Sequence, residues 1–208
     1  MPNRRVILGL FAGLVLGGAI SALAYSATGG GDAGTFDAAH SDLSVEGAAV
    51  FPDFPLYAVG ESFEGLSLTG MTRRVEARTA PDPARANFVG FRYGDCTPSG
   101  DSGCPAPLEI QVWPACERNF ASYSLTPAGD PLPHERLTVR GVPAAFFEEG
   151  KRLEVYTGSV TVVLFGQGKA QLLRAANELR RANGSARTGA DGRLPAAAEG
   201  ALEGRLAC

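Results

Sequence analysis

Four short stretches, Arg136–Arg140, Ala144–Glu148, Arg152–Thr157 and Val160–Phe165, follow one another with almost no chain between them. No other feature limits the fold so tightly. Each stretch is short and rich in Val, Leu, Phe, Tyr or Thr, which suits a pleated, half-buried surface. Glu149-Gly150 and Gly158-Ser159 fall where tight hairpins need turn residues. Strands joined this closely must run antiparallel, because a parallel pair needs a long crossover. The next segment, Gly168–Asn183, has helical periodicity. Leu172, Leu173, Ala176 and Leu179 form one apolar stripe, and Gly184 offers a left-handed stop.

The preceding half reads as strands too. Leu56–Val59 is short and apolar. Arg73–Thr79, Asn87–Tyr93 and Leu108–Trp113 alternate with period two, as strands with one buried face do. The loop from Gly94 to Pro107 then connects two neighbouring strands, and Ala115–Ser124 is expected to be a short helix, followed by a loop at Pro127, Pro131 and Pro133. The fold class expected is α+β: a mainly antiparallel sheet with a C-terminal helix packed on it and one short additional helix.

Targeting is written at the N-terminus. Arg4 and Arg5 precede an uncharged run, Val6 to Tyr25, of about 20 residues, enough to span the hydrocarbon core of a bilayer. Ser21-Ala22-Leu23-Ala24 equally resembles a signal cleavage site, with processing near Ala24. Two readings stand, a retained anchor and a cleaved signal. Lys and Arg are absent from Val6 through Thr72 while seven acidic residues occur there, so positive charge lies before the run and the rest is expected outside. The expected organisation is an anchor or signal peptide over 1–25, a flexible linker over 26–50, an extracytoplasmic domain over 51–184, and a Gly/Ala-rich tail over 185–208 that contains Cys208. Gly9, Gly13, Gly17 and Ser21 form a small-residue stripe through which two membrane helices could approach.

Outside the cytoplasm disulfides form and persist. The chain has four cysteines, which allow three pairings. Cys96 and Cys104 enclose a turn-rich loop and are expected to pair, leaving Cys116 with Cys208. The spacing contains no C-x-x-C, and the chain has two histidines, so neither a zinc site nor any other metal or cofactor is expected. A net charge of −3 and a pI near 5.5 give no electrostatic footprint for nucleic acid.

The block from Leu137 to Arg180, carried by "VRGVPAAFFEEGKRLEVYTGSVTVVLFG" and the helix after it, resembles uncharacterised extracytoplasmic domains of bacterial single-span or lipoprotein-type envelope proteins. The resemblance covers about a fifth of the chain. It implies a binding or sensing module and carries no catalytic residues across.

Several short motifs resemble functional ones. Gly100-Asp101-Ser102-Gly103 resembles the nucleophile loop of chymotrypsin-like proteases, with Ser102 attacking and the backbone N–H groups of Ser102 and Gly100 as oxyanion donors. Cys104 stands where that pattern has another Gly, and His40 is too close in sequence to Ser102 for the barrel that unites such a pair. "FGQGKAQ", Phe165 to Gln171, has Gln171 where a nucleotide fingerprint needs Gly. His134 lies among prolines without a partner at ligand spacing. Asp95, Asp101 and Glu109 match no calcium loop. Phe146 and Phe147 must point to opposite faces of a strand, so one enters the core and the other lies under a covering element or on a face open to a partner.

The function expected is non-catalytic binding or sensing by an exported or membrane-anchored domain. Its partners are the membrane through residues 6–25 and either a protein or a small apolar ligand, not nucleic acid. The alternatives are a secreted serine hydrolase using Ser102 and a self-associating envelope structural protein.

Overall fold

The computed structural model describes residues 38–76, 87–95, 106–184 and 192–208. Strand β1 (Ala38–Asp42) is followed by a five-residue helix α1 (Val45–Ala49), which Ser44 caps by accepting the Gly47 N–H at 3.0 Å. Then come β2 (Tyr57–Ala58), β3 (Ser62–Phe63), β4 (Leu66–Glu76), β5 (Asn87–Tyr93) and β6 (Leu108–Pro114). A four-residue helix α2 (Phe120–Tyr123) leads to β7 (Glu135–Val139), β8 (Val142–Phe147), β9 (Arg152–Thr157) and β10 (Val160–Gly166). Helix α3 (Lys169–Glu178) and β11 (Arg180–Arg181) complete the order.

The main sheet is antiparallel throughout, in the order β1-β4-β5-β6-β10-β9-β8-β7, with β3 turned back onto β4 and β11 pairing β2 separately. Two meanders make it. The first runs β4-β5-β6. The chain then crosses to the far edge through α2 and returns strand by strand from β7, so that β10 closes the gap beside β6. The architecture is α+β, mostly antiparallel sheet with one C-terminal helix and few others. Between β7 and β8, Arg140 (φ 48°) and Gly141 (φ 87°) form the two-residue left-handed turn whose twist matches that of paired strands.

Residues opposed across the ladder share a face. Val89, Val112, Val162, Val155 and Ala144 line one face. Leu172, Ala175 and Ala176 of α3 pack against it, with Phe51, Phe54, Leu56 and Phe63 from the first connecting segments. This is the main core. The other face carries two smaller apolar clusters. Phe88 stacks on Trp113 beside Val163, and Ala145, Phe147 and Tyr156 lie under Phe120, Leu132, Ala197 and Leu202. Phe146 and Phe147 do part, Phe146 into the main core and Phe147 into the second face.

Four expectations are corrected. The segment 26–50 is not linker throughout: β1 pairs with β4 from Ala38↔Glu76 to Asp42↔Thr72, and α1 follows, because pairing with a long neighbour supplies the order that local composition does not. Strand β4 begins at Leu66 rather than Arg73; its continuation to Thr79 lies outside the described residues. Helix α3 ends at Glu178, short of Asn183. Leu179 turns extended (φ −52°, ψ 128°) so that Arg180 and Arg181 can pair with Ala58 and Tyr57. Asn183 instead uses its buried amide as a staple. It donates to the carbonyls of Phe51 and Phe54, both at 2.8 Å, and accepts the Leu56 N–H at 2.7 Å. Finally, residues 192–208 are not a loose tail: Leu194 and Ala201 are buried against the domain.

Candidate functional site

The register places the two ends of the sheet. At one end lie Ala38, Glu76, Asn87, Pro114 and Val160, where the chain enters β1. At the other lie Tyr93, Leu108, Gly166, Arg152 and Phe147. The turn from β8 to β9 projects from this second end, and its backbone is unusual. Glu148 (φ 52°), Glu149 (φ 56°) and Gly150 (φ 88°) are left-handed in succession. Only glycine adopts that region freely; for each of the two glutamates it costs roughly 1–2 kcal/mol.

Depressions flank the turn on both sides. One, of about 450 Å³, is lined by Asp95, Pro107, Glu148, Lys151, Phe165 and Gln167. The other, of about 230 Å³, is lined by His134, Glu135, Phe146, Phe147, Glu149 and Lys169. Each is thus lined by at least one aromatic ring and by charged groups of both signs. Lys169 pairs with Glu135 and lies 5.5 Å from the Phe146 ring centre. The His134 Nδ1 lies 2.9 Å from the Leu132 carbonyl oxygen, and its ring meets Phe120 edge-on and Phe147 at a tilt.

Beneath the turn, an ion network fixes its root. The Arg152 guanidinium donates from Nη1 to Glu148 Oε1 at 2.6 Å and covers the Phe147 ring at 4.6 Å. Its Nε lies 3.4 Å from Glu154 Oε1 without the geometry of a hydrogen bond. Glu154 is fully buried (0% exposed) in the middle of the sheet. It accepts from Arg118 Nη2 at 2.5 Å and from the Tyr156 hydroxyl at 2.9 Å. Arg118, itself buried, lies over the rings of Tyr123 (4.1 Å) and Trp113 (5.3 Å), and its carbonyl accepts from Thr161 Oγ1 at 2.6 Å. Burial and the neighbouring Glu154 carboxylate hold the Tyr156 phenol far above its usual range. Glu154 thus accepts from Arg118 and Tyr156 and faces the Arg152 guanidinium as an ion pair, which ties its strand to the turn and to the segment preceding α2.

A third cleft, of about 480 Å³, opens at the opposite end between Asp53, Asn87, Pro114, Glu117 and Ser159, with Cys116 and Cys208 in its wall. These two cysteines form a disulfide with a Cα–Cα distance of 5.4 Å. Cys96, Cys104, Asp101 and Ser102 lie outside the described residues, as do residues 6–25, so the proposed staple, the nucleophile loop and the anchor have no structural account. His40 sits in β1 opposite Arg74. Of the three acids considered for calcium, Asp101 lies outside the described residues, Glu109 accepts from Gln111 Nε2 at 2.7 Å, and Asp95 lines the depression at the turn. Among the described residues no group of three or more His, Cys, Asp or Glu could hold a metal, and no helix is long and apolar enough to cross a membrane.

The sequence reading missed the network around Glu154. The signal was there in part, since Arg152, Glu154 and Tyr156 alternate onto one face of a strand whose neighbours are apolar. No protein-family model matches the chain, and no match was found among curated proteins or solved structures.

Proposed function

We propose that this chain is an exported or membrane-anchored extracytoplasmic domain that binds rather than reacts, and that it binds a protein partner at the rim around Glu148–Lys151. The observation that carries the reading is the left-handed run of Glu148, Glu149 and Gly150 between two depressions. Strained backbone persists only where the surroundings over-determine it, and such strain gathers at binding and switch positions. Here Arg152 ties the turn to a buried carboxylate, so the rim is held ready rather than ordered on contact. Aromatic residues are enriched at protein interfaces, whose rims are polar. Export is supported by Arg4 and Arg5 before the apolar run, and by a disulfide that persists in oxidising surroundings.

The test is site-specific photocrosslinking of the full chain in the cells that make it. A photoreactive residue replacing Glu149 is expected to yield a discrete adduct that the same residue at the exposed Val50 does not. Equal adducts from both positions, or none from Glu149, would remove the rim as the binding surface.

A further inference from the structure

The tail and α2 form one covering layer, joined by the disulfide at its margin. Leu194 enters the main core, and its N–H donates to the Arg140 carbonyl at 3.1 Å. The Gly158 N–H donates to the carbonyls of Pro195 and Ala196 at 3.2 and 3.1 Å, and Ala198 N–H donates to the Gly158 carbonyl at 2.7 Å. These bonds fix the first half of the tail to the hairpin turns. The second half lies on α2. Leu202 packs with Phe120 over Ala145, Phe147 and Tyr156, and the Leu202 carbonyl accepts the Ala121 N–H at 2.9 Å. Beyond Leu202 the chain returns to the segment preceding α2 through the bond from Cys208 to Cys116. Cys208 is exposed, Cys116 is half-buried, and both face the 480 Å³ cleft, so a thiolate can reach the sulfurs without unfolding the sheet.

We infer that Cys116–Cys208 is a thiol–disulfide exchange site, at which a dithiol reductant unfastens the tail and α2 from the second sheet face and leaves the sheet intact. The exchange proceeds in two steps. One thiolate of the dithiol attacks Cys208 Sγ, forming a mixed disulfide, and Cys116 leaves as a thiolate that takes up a proton. The second thiol of the reagent, deprotonated, then attacks its own sulfur in the mixed disulfide. Cys208 is released as a thiol after taking up a proton, and the reagent leaves as its internal disulfide. Two electrons and two protons have passed to the protein. The opening stays local because a four-residue helix has no stability of its own, while the β6-β10-β9-β8 ladder does not depend on it. The event uncovers Phe147, Tyr156 and the Glu154 network.

The test uses the full chain carrying Cys96→Ser and Cys104→Ser, so that one pair alone responds, with dithiothreitol as the dithiol. Mass spectrometry is expected to show a gain of two hydrogens without denaturant. Amide exchange over 119–124 and 199–205 should quicken at least tenfold while β9 and β10 stay protected. Adding Cys208→Ser gives the unfastened state directly and should show the same exchange pattern without reagent. A pair that resists the reagent until denaturant is added, exchange unchanged after reduction, or equal loss of protection in β9 and β10 would each overturn the proposal.

Discussion

At Glu154 a carboxylate is buried in the centre of the sheet and held by Arg118 and Tyr156. Breaking such a pair by removing one partner leaves the other uncompensated, which costs about 3–5 kcal/mol, whereas replacing both by apolar groups is often neutral. Glu154→Gln is therefore expected to lower the free energy of unfolding in urea by about 3 kcal/mol, and the double variant Arg118→Met/Glu154→Leu to recover most of it. If the double variant falls as far as the two singles together, the pair is not acting as a unit. The phenols give a second test. Burial pushes Tyr93 up to about 12 from a usual value of 10, and Tyr156 still further in the same direction. A phenol whose folded pKa is raised stabilises the fold fully below the unfolded pKa and loses that contribution as pH rises through the folded one. Stability should thus hold up to about pH 10 and fall between 10 and 12, and Tyr93→Phe should flatten that fall, as read from melts at stepped pH.

At the scale of elements, two connections carry the argument. The β8–β9 turn spends stability on two left-handed glutamates. Glu149→Gly should raise the urea midpoint by the equivalent of about 1 kcal/mol, since glycine enters that region without a steric cost. If the rim is the binding surface, the same variant should weaken crosslinking from a photoreactive residue placed at the exposed Lys151. The stop of α3 is the other case. Its apolar stripe continues from Ala176 to Leu179, so periodicity alone carries the helix onward. It stops because Arg180 and Arg181 pair with β2 and Asn183 is needed beneath the Phe51–Leu56 segment. Asn183→Ala strands two buried carbonyls and one N–H and is expected to cost about 3 kcal/mol in thermal or urea unfolding. The stop of α3 is not visible along one segment, because it is decided by partners more than a hundred residues away. The hairpins from Glu135 to Gly166 were legible because strand alternation and turn residues are both local. Strand β1 was not: Ala38 to Asp42 reads as linker by composition and becomes a strand only against β4. The network around Glu154 was half legible, since Arg152 and Tyr156 share its strand while Arg118 comes from the crossing segment.

For the molecule as a whole, the tail is part of the fold. Residues 185–208 look dispensable by composition, yet Leu194 is 5% exposed and its neighbours bond to two hairpin turns. Deleting them should cost about 2 kcal/mol for Leu194 alone, from lost burial, and more through Leu202. It also removes a crosslink that spans 92 residues, for which chain entropy gives up to about 4.7 kcal/mol. A deletion variant that melts with the full chain would refute this account of the tail.

The position of β10 carries its own consequence for how the protein is born. It is the last strand of the main sheet to be synthesised, yet it stands in the interior, bridging β6 to β9. Until Val160–Gly166 has emerged, the two meanders have no common strand, and β6 shows a bare hydrogen-bonding edge to whatever is nearby. The assembly therefore closes like an arch on its final stone, and a chain arrested before Val160 should be a sticky, protease-sensitive pair of fragments rather than a smaller version of the same domain.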